Sequence, residues 1–522
     1  MKKIAVLITL ICFGLILVAC VSSPEKKVED KKPAGPVCGD GKIEGSEQCE
    51  AALPLGKSCQ SLGYAGGTLM CKKCRYDQSK CVAAPKKDWN VDRNRWRRRG
   101  GRGSCPYVYL FDGERYRYHT DLSGSVLAKG MDFFQPEHYG PNIYKLENFQ
   151  AHDGVYRLKA REVIYEASFF DKAELLIVDV PIGHEVFNTW SFTSQLGHES
   201  ERRFVSTRDL RPPIRATDDK GRDVLKQISR ADDRPLPVAE DGLSRVELDF
   251  GPIEHPEHAK LIITAWGHYA DLRGKQKPPY AAGTSIETLD ENGKWRIRMI
   301  TGKAAGDARS WAVDIGGLLK AEDGRLRITM AHLPSVLDVL DAVRLDDSKP
   351  VPIKVTRLSP RLARLQDEGA ASVRSSTLKH SIEAVDDHLP PIKDAMLTGH
   401  YTRFGEVGEL IASSDDRFVI MVHGDSLLLE FKAVAENPLM RRLIFLEADV
   451  FYTLKYHPFG QVTSNNEPLP FHGMTRYPYD FEDWPHAKDE AYLDHLKRWQ
   501  TRKVLLPKRF KTLSPPDERK SP

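Results

Sequence analysis

The sequence predicts a mainly β protein: a small disulfide-rich module followed by β-sandwich-like domains with few helices. Three observations carry that expectation. Six cysteines crowd into residues 38–81, where aliphatic residues are too sparse for an ordinary core. From residue 105 onward, short apolar runs alternate with Asp-Gly and Asn-Gly turn signals, the signature of hairpins. Helical spacing shows in two places only, at 335–345 and near 486–500.

At the start, two lysines precede an apolar run from Ile4 to Ala19, the layout of a secretory signal. The run is shorter than the roughly 20 residues a spanning helix needs, although an uncleaved signal anchor is the alternative. Leu17-Val18-Ala19-Cys20 resembles the lipobox of bacterial lipoproteins. That resemblance implies cleavage of residues 1–19, lipid on the Cys20 thiol and attachment to a membrane; several acyl chains on one residue suffice for stable anchoring. Val21-Ser22 after the cysteine favours the outer membrane of a Gram-negative cell, facing the periplasm or the cell surface. Residues 20–37 are charged, proline-containing and free of aromatics, so they read as a tether.

Within 38–81, Cys38, Cys49, Cys59, Cys71, Cys74 and Cys81 read as three disulfides in an oxidising compartment. Zinc is the alternative, but one Cys-x-x-Cys without a second pair or a histidine makes a poor site. Cys71 and Cys74 are not expected to pair with each other, because a two-residue gap makes a strained ring. The wording CGDGKIEGSEQCE followed by CQSLGYAGGTLMCKKCRYDQSKC resembles a cysteine-rich repeat of myxobacterial surface proteins, with Glu50 where that repeat favours Asp. The resemblance implies an extracytoplasmic spacer or adhesion module. Cys105 is left over as a free thiol.

The overall charge is +4, yet residues 86–102 alone carry eight basic and two acidic side chains. Without that stretch and the two signal lysines the remainder is acidic, so the body presents no case for nucleic-acid binding. The basic linker, 82–104, reads either as a solvated hinge or as a grip on anionic lipid or polysaccharide.

The body divides on composition into a β-rich domain at 105–350, a linker at 351–392 that ends in a double proline, and a second β-rich unit at 393–502 closed by a helix. Residues 503–522 read as a disordered tail. Patches such as SCPYVYLFDGERY, AKLIITAWGHYAD and EPLPFHGMTRYPY resemble uncharacterised bacterial exported proteins, which implies an extracytoplasmic β body and supplies no activity.

No spacing demands chemistry. A nucleophile elbow, His-Glu-x-x-His, a phosphate loop and an EF-hand loop are all missing, so no catalytic, cofactor or metal residue is assigned. His255-Pro256-Glu257-His258 carries a proline that spoils helical alignment of the two histidines. Asp218-Asp219 and Asp415-Asp416 suit calcium or plain turns. The richest segment is the loop holding Glu467, Phe471, His472, Tyr477, Tyr479 and Asp480, where aromatics could stack a sugar and a histidine could act as a base. Plain packing of that loop onto the sheet is the competing reading. The expected function is therefore a structural or ligand-binding role at the cell envelope, toward a polysaccharide or protein. A hydrolase working through 467–480 is the alternative.

The lipobox makes one prediction. Cys20→Ser should abolish palmitate incorporation and leave the protein unprocessed or free of membranes; continued labelling of the mutant would overturn the anchor assignment.

Overall fold

The computed structural model describes residues 38–40, 42–43, 47–50, 59, 66–82, 106–122, 125–127, 131–132, 141–163, 166–189, 204–232, 236, 243–269, 284–302, 306–331, 336–368, 397–454, 456–457, 460–461 and 465–504. Cys20, the basic residues 86–102, Cys105 and the tail beyond 504 lie outside the described residues. The described part is mainly β, with two α-helices, Leu225–Ile228 and Glu490–Trp499. None of its helices is long and apolar enough to cross a membrane.

The chain divides into two compact units. The first covers 1–55 and 68–80 and holds the disulfides Cys38–Cys74 and Cys49–Cys71. Its buried Glu50 accepts the Gly39 amide at 2.8 Å, so the longer acidic side chain anchors a turn that Gly39 makes at φ +103°. The second unit covers 56–67 and 81–522, and its disulfide is Cys59–Cys81. Cys71 and Cys74 each pair elsewhere, as ring strain requires.

In the second unit the central element is the strand Glu166–Pro181, whose sequence EASFFDKAELLIVDVP is buried on both faces. It runs antiparallel to Met440–Leu454 along its full length. Lys354–Leu358 and Val419–Val422 pair with its other edge. A second sheet runs in the order Gly405–Glu406, Leu362–Asp367, Asp425–Lys432, Val155–Arg161, Tyr107–Phe111, Tyr116–Asp121. Between the two sheets Leu158, Leu427, Leu429 and Phe431 meet Leu175, Ile177, Leu446 and Val450. Burying that many large apolar groups, each contributing about 1.5–3 kcal/mol, makes this face the main source of stability for the outer sandwich.

Register explains how one strand serves two cores. Ahead of residue 171 the inward residue is Phe170; beyond it the inward residues are Ala173, Leu175 and Ile177. The parity changes because the pairing slips between Phe170 and Lys172, leaving Asp171 as the extra residue of a β-bulge. Without the bulge, every side chain beyond it would face the wrong side.

Residues 215–346 form an inserted sandwich with its own core. Its five-stranded sheet is built from Arg215–Asp218, Leu243–Asp249, Arg325–Ala331, Thr284–Leu289 and Trp295–Thr301, in that order. Its three-stranded sheet places Lys260–Tyr269 between Arg309–Asp314 and Val336–Asp346. Trp311, Ile263, Ile286 and Ile328 fill the space between. The fully buried Asp121 of the outer sandwich takes Arg309 at 2.7 Å and the Asp307 amide at 3.0 Å, which ties the two sandwiches together.

Two sequence expectations are corrected here. The spacing at 335–345 predicts a helix, yet Val336–Asp346 is a strand. Its pairing slips at Asp341, so Leu340 and Val343 face one core at a spacing of three, which imitates a helical stripe. The boundaries 105–350, 351–392 and 393–502 are redrawn as well. Lys354–Leu358 and Leu362–Asp367 are sheet strands inside the supposed linker, and Asp425–Lys432 and Met440–Leu454 sit mid-sheet beside 155–181. Sequential segments are not separate domains when their strands alternate in one sheet.

Truncation after residue 392 should therefore unfold the outer sandwich while sparing the insertion. Limited proteolysis should cut within 107–181 and leave 243–346 protected; a protected 107–181 would restore the sequential boundaries.

Candidate functional site

The bulge at Asp171 opens the site. Asp171 has a fully buried side chain, and its Oδ2 accepts the Asp416 amide at 3.0 Å. Asp449 comes from the partner strand, immediately across from Lys172, and is 4% exposed. Asp416 lies in the turn before Val419–Val422, at φ +66°, a left-handed conformation that Asp tolerates better than most residues. His472 arrives from the loop that follows a cis Glu467-Pro468 bond, and His486 precedes the closing helix.

His472 is gripped at both ring nitrogens. Nδ1 lies 2.7 Å from Asp416 Oδ1 and 3.5 Å from Asp171 Oδ2, while Nε2 lies 3.0 Å from Asp449 Oδ2. The His472 amide also donates to Asp416 Oδ1, at 2.8 Å. His486 Nε2 meets Asp416 Oδ2 at 2.9 Å and stacks on Tyr492 at 4.0 Å between centroids. The Tyr492 hydroxyl donates to the Asp416 carbonyl, and Ser414 donates to Asp449.

The electrostatics follow. Burial works against the imidazolium, but the Asp416 and Asp449 hydrogen bonds and charges outweigh it and lift His472 to about 10. It is therefore a cation at neutral pH and donates from both nitrogens. Burial pushes Asp171 up to about 7, against the Asp416 amide and the His472 charge. Burial would raise Asp416 too, but its hydrogen bonds to His472 and His486 hold it below the usual carboxylate range.

The structure separates the other loop residues from this cluster. Phe471 and Tyr477 are buried in the core that also holds Phe169, Phe418 and Phe451. The Tyr477 hydroxyl is spent on the Pro468 carbonyl and that of Tyr479 on the Leu469 carbonyl. These rings do not offer a stacking face; they pack the loop down. Glu467 is half-exposed and pairs with His400 at 3.1 Å, and Asp480 is exposed and pairs with Arg476 at 2.6 Å. Phe481, 69% exposed, is the apolar ring that the loop does present.

No motif marks Asp171, Asp449 or His486 in the sequence, although two of them leave a signal. Asp171 and Asp449 each interrupt an apolar strand, SFFDKAELL and FLEADVF, where an unpaired carboxylate would be costly. Asp218, flagged with Asp416, serves its own turn by accepting the Lys220 and Arg222 amides. A cavity of about 300 Å³ lies elsewhere, lined by Phe204, Glu257, His258, Lys260, Asp314 and Val351. Its buried lysine is already paired with Asp346 at 2.8 Å, so its polar groups do not converge on an open centre.

No known family's profile matches this chain, and no curated protein matches it. Among solved structures, the infectious bursal disease virus VP2 subviral particle aligns with 76% of this chain and 92% of its own. That alignment has 9% identity and a TM-score of 0.11, too little to carry any argument.

The cluster itself generates a prediction. His472→Ala leaves buried carboxylates facing one another and should cost about 3–5 kcal/mol of stability in denaturant titration; a loss within about 0.5 kcal/mol would remove the clamp from the account. The His472 contribution is complete below its ordinary value of 6.5 and is lost as pH rises through about 10. Asp171 acts in the same direction between 3.8 and about 7, since the folded state keeps a proton the unfolded chain has released. In chelating buffer, the gap between wild type and His472→Ala should therefore shrink from pH 7 to 10.

Proposed function

We propose that the chain is a lipid-anchored cell-envelope protein with a structural or ligand-binding role toward a polysaccharide or protein. The observation that carries this reading is the double grip on His472. A general base needs a ring nitrogen within reach of the substrate proton, and here both nitrogens are held by Asp416 and Asp449. The loop is therefore a pinned support, with Arg476, Asp480, Phe481 and Asp483 on its solvent side.

The compartment is supported by three disulfides, which persist where the surroundings are oxidising. Lipid on Cys20, an outer-membrane position and contact between 86–102 and anionic lipid or polysaccharide belong to the same proposal. They rest on the Leu17–Cys20 lipobox and on the clustered charge.

The hydrolase alternative requires His472 to exchange one carboxylate for a substrate. The purified chain should show no turnover of envelope glycans or simple esters, and should be retained on immobilised envelope polysaccharide or on an envelope protein. Turnover that His472→Ala abolishes would reverse the conclusion.

A further inference from the structure

The cluster around His472 joins three carboxylates and two imidazoles from well-separated stretches of chain. Among the described residues no lysine or arginine pairs with any of them; the adjacent Lys172 turns to Glu174 and Glu447. The charge is thus left net negative in a largely dehydrated place. A second observation points the same way. Asp171 is fully buried, and although the Asp416 and Asp415 amides approach its carboxylate, no donor meets its Oδ1 in hydrogen-bonding geometry. A buried carboxylate oxygen without a donor is expensive, and a cation is the partner that satisfies it without further protein groups.

One donor atom each from Asp171, Asp449 and His472 lies within 4.8 Å of the other two. One ion with bonds of about 2.0–2.2 Å to nitrogen and carboxylate oxygen holds its ligand atoms at most about 4.4 Å apart, so the three side chains draw in slightly as it binds. The surroundings match the way such ligands are held. A metal-bound histidine donates its other N–H to a carboxylate, and His472 Nδ1 has Asp416 at 2.7 Å, itself fixed by His486 at 2.9 Å. We propose that Asp171, Asp449 and Nε2 of His472 bind one divalent transition-metal ion of the Zn²⁺ class, with Asp416 and His486 as positioning residues. The ion takes the place of the proton on Nε2, which leaves to solvent. An imidazole among the ligands favours such an ion over Ca²⁺ or Mg²⁺. Three protein ligands leave a position for water.

Two other groupings do not compete. Cys38, Glu47, Glu50 and Cys74 also cluster, but both sulfurs are consumed in one disulfide. His255 and Glu257 are exposed on the surface beside His258, so an ion there would remain largely hydrated.

The test is equilibrium dialysis of the chelator-treated full chain against Zn²⁺, with elemental analysis and circular dichroism to check the fold. One ion per chain is expected, weakened about tenfold or more in Asp171→Asn, Asp449→Asn and Asp416→Asn, and unaffected in His258→Ala. No stoichiometric binding, or wild-type affinity in Asp171→Asn and Asp449→Asn, would overturn the site. If these variants fail to fold, X-ray absorption on the zinc-loaded wild type decides. One imidazole with oxygen neighbours supports the proposal; sulfur, or several imidazoles, overturns it.

Discussion

Everything in the outer sandwich hangs on the pairing of Glu166–Pro181 with Met440–Leu454. Those strands lie far apart in the chain, so their union closes a long loop, and the inserted sandwich occupies much of it. Closing such a loop costs entropy that grows only slowly with its length. A fully buried strand with apolar groups on both faces offsets it. The insertion can be large because it folds on its own core, and it joins the outer sandwich through the Asp121–Arg309 tie, the pairing of 185–188 with 204–207 and the packing of Phe187 on Ile262 and Ala312.

The same pairing builds the site. A continuous ladder would point residue 171 along the alternation of its strand; the slip at Phe170/Lys172 frees it and sets Asp449 beside it on the partner. Bulges re-aim single side chains in this way. The turn at Asp416 and the loop at His472 then only have to arrive. Aromatic packing by Phe471 and Tyr477 brings the loop down, and the carboxylates orient the imidazole once it is there. Apolar burial supplies the adhesion and the charged groups supply the geometry. Buried charge is a poor source of net stability but a strong selector of one arrangement.

Strand content, hairpin turns and the closing helix are local properties, and they are legible residue by residue. The Asp112-Gly113 and Asn292-Gly293 turns join the strands expected of them, and Tyr492 and Trp499 are buried on the expected face of the helix. Strand order is different in kind. Nothing in Leu362–Asp367 says that it pairs with Asp425–Lys432 rather than with a neighbour in sequence. The strand at Val336–Asp346 passed for a helix because its bulge shifts an alternating pattern by one residue.

By itself, the sequence determined the class of fold, the six cysteines that pair, the turn residues and the prominence of the loop at 467–480, since each depends on composition or on spacings of a few residues. Only the tertiary structure decided which cysteines join, which strands share a sheet and which way the loop's rings face. It also decided what surrounds His472. Asp171, Asp416 and Asp449 have no common spacing with that histidine, because side chains brought together by a bulge, a turn and a partner strand are neighbours in space alone. A motif search reads distance along the chain, whereas the cluster depends on distance across two strands.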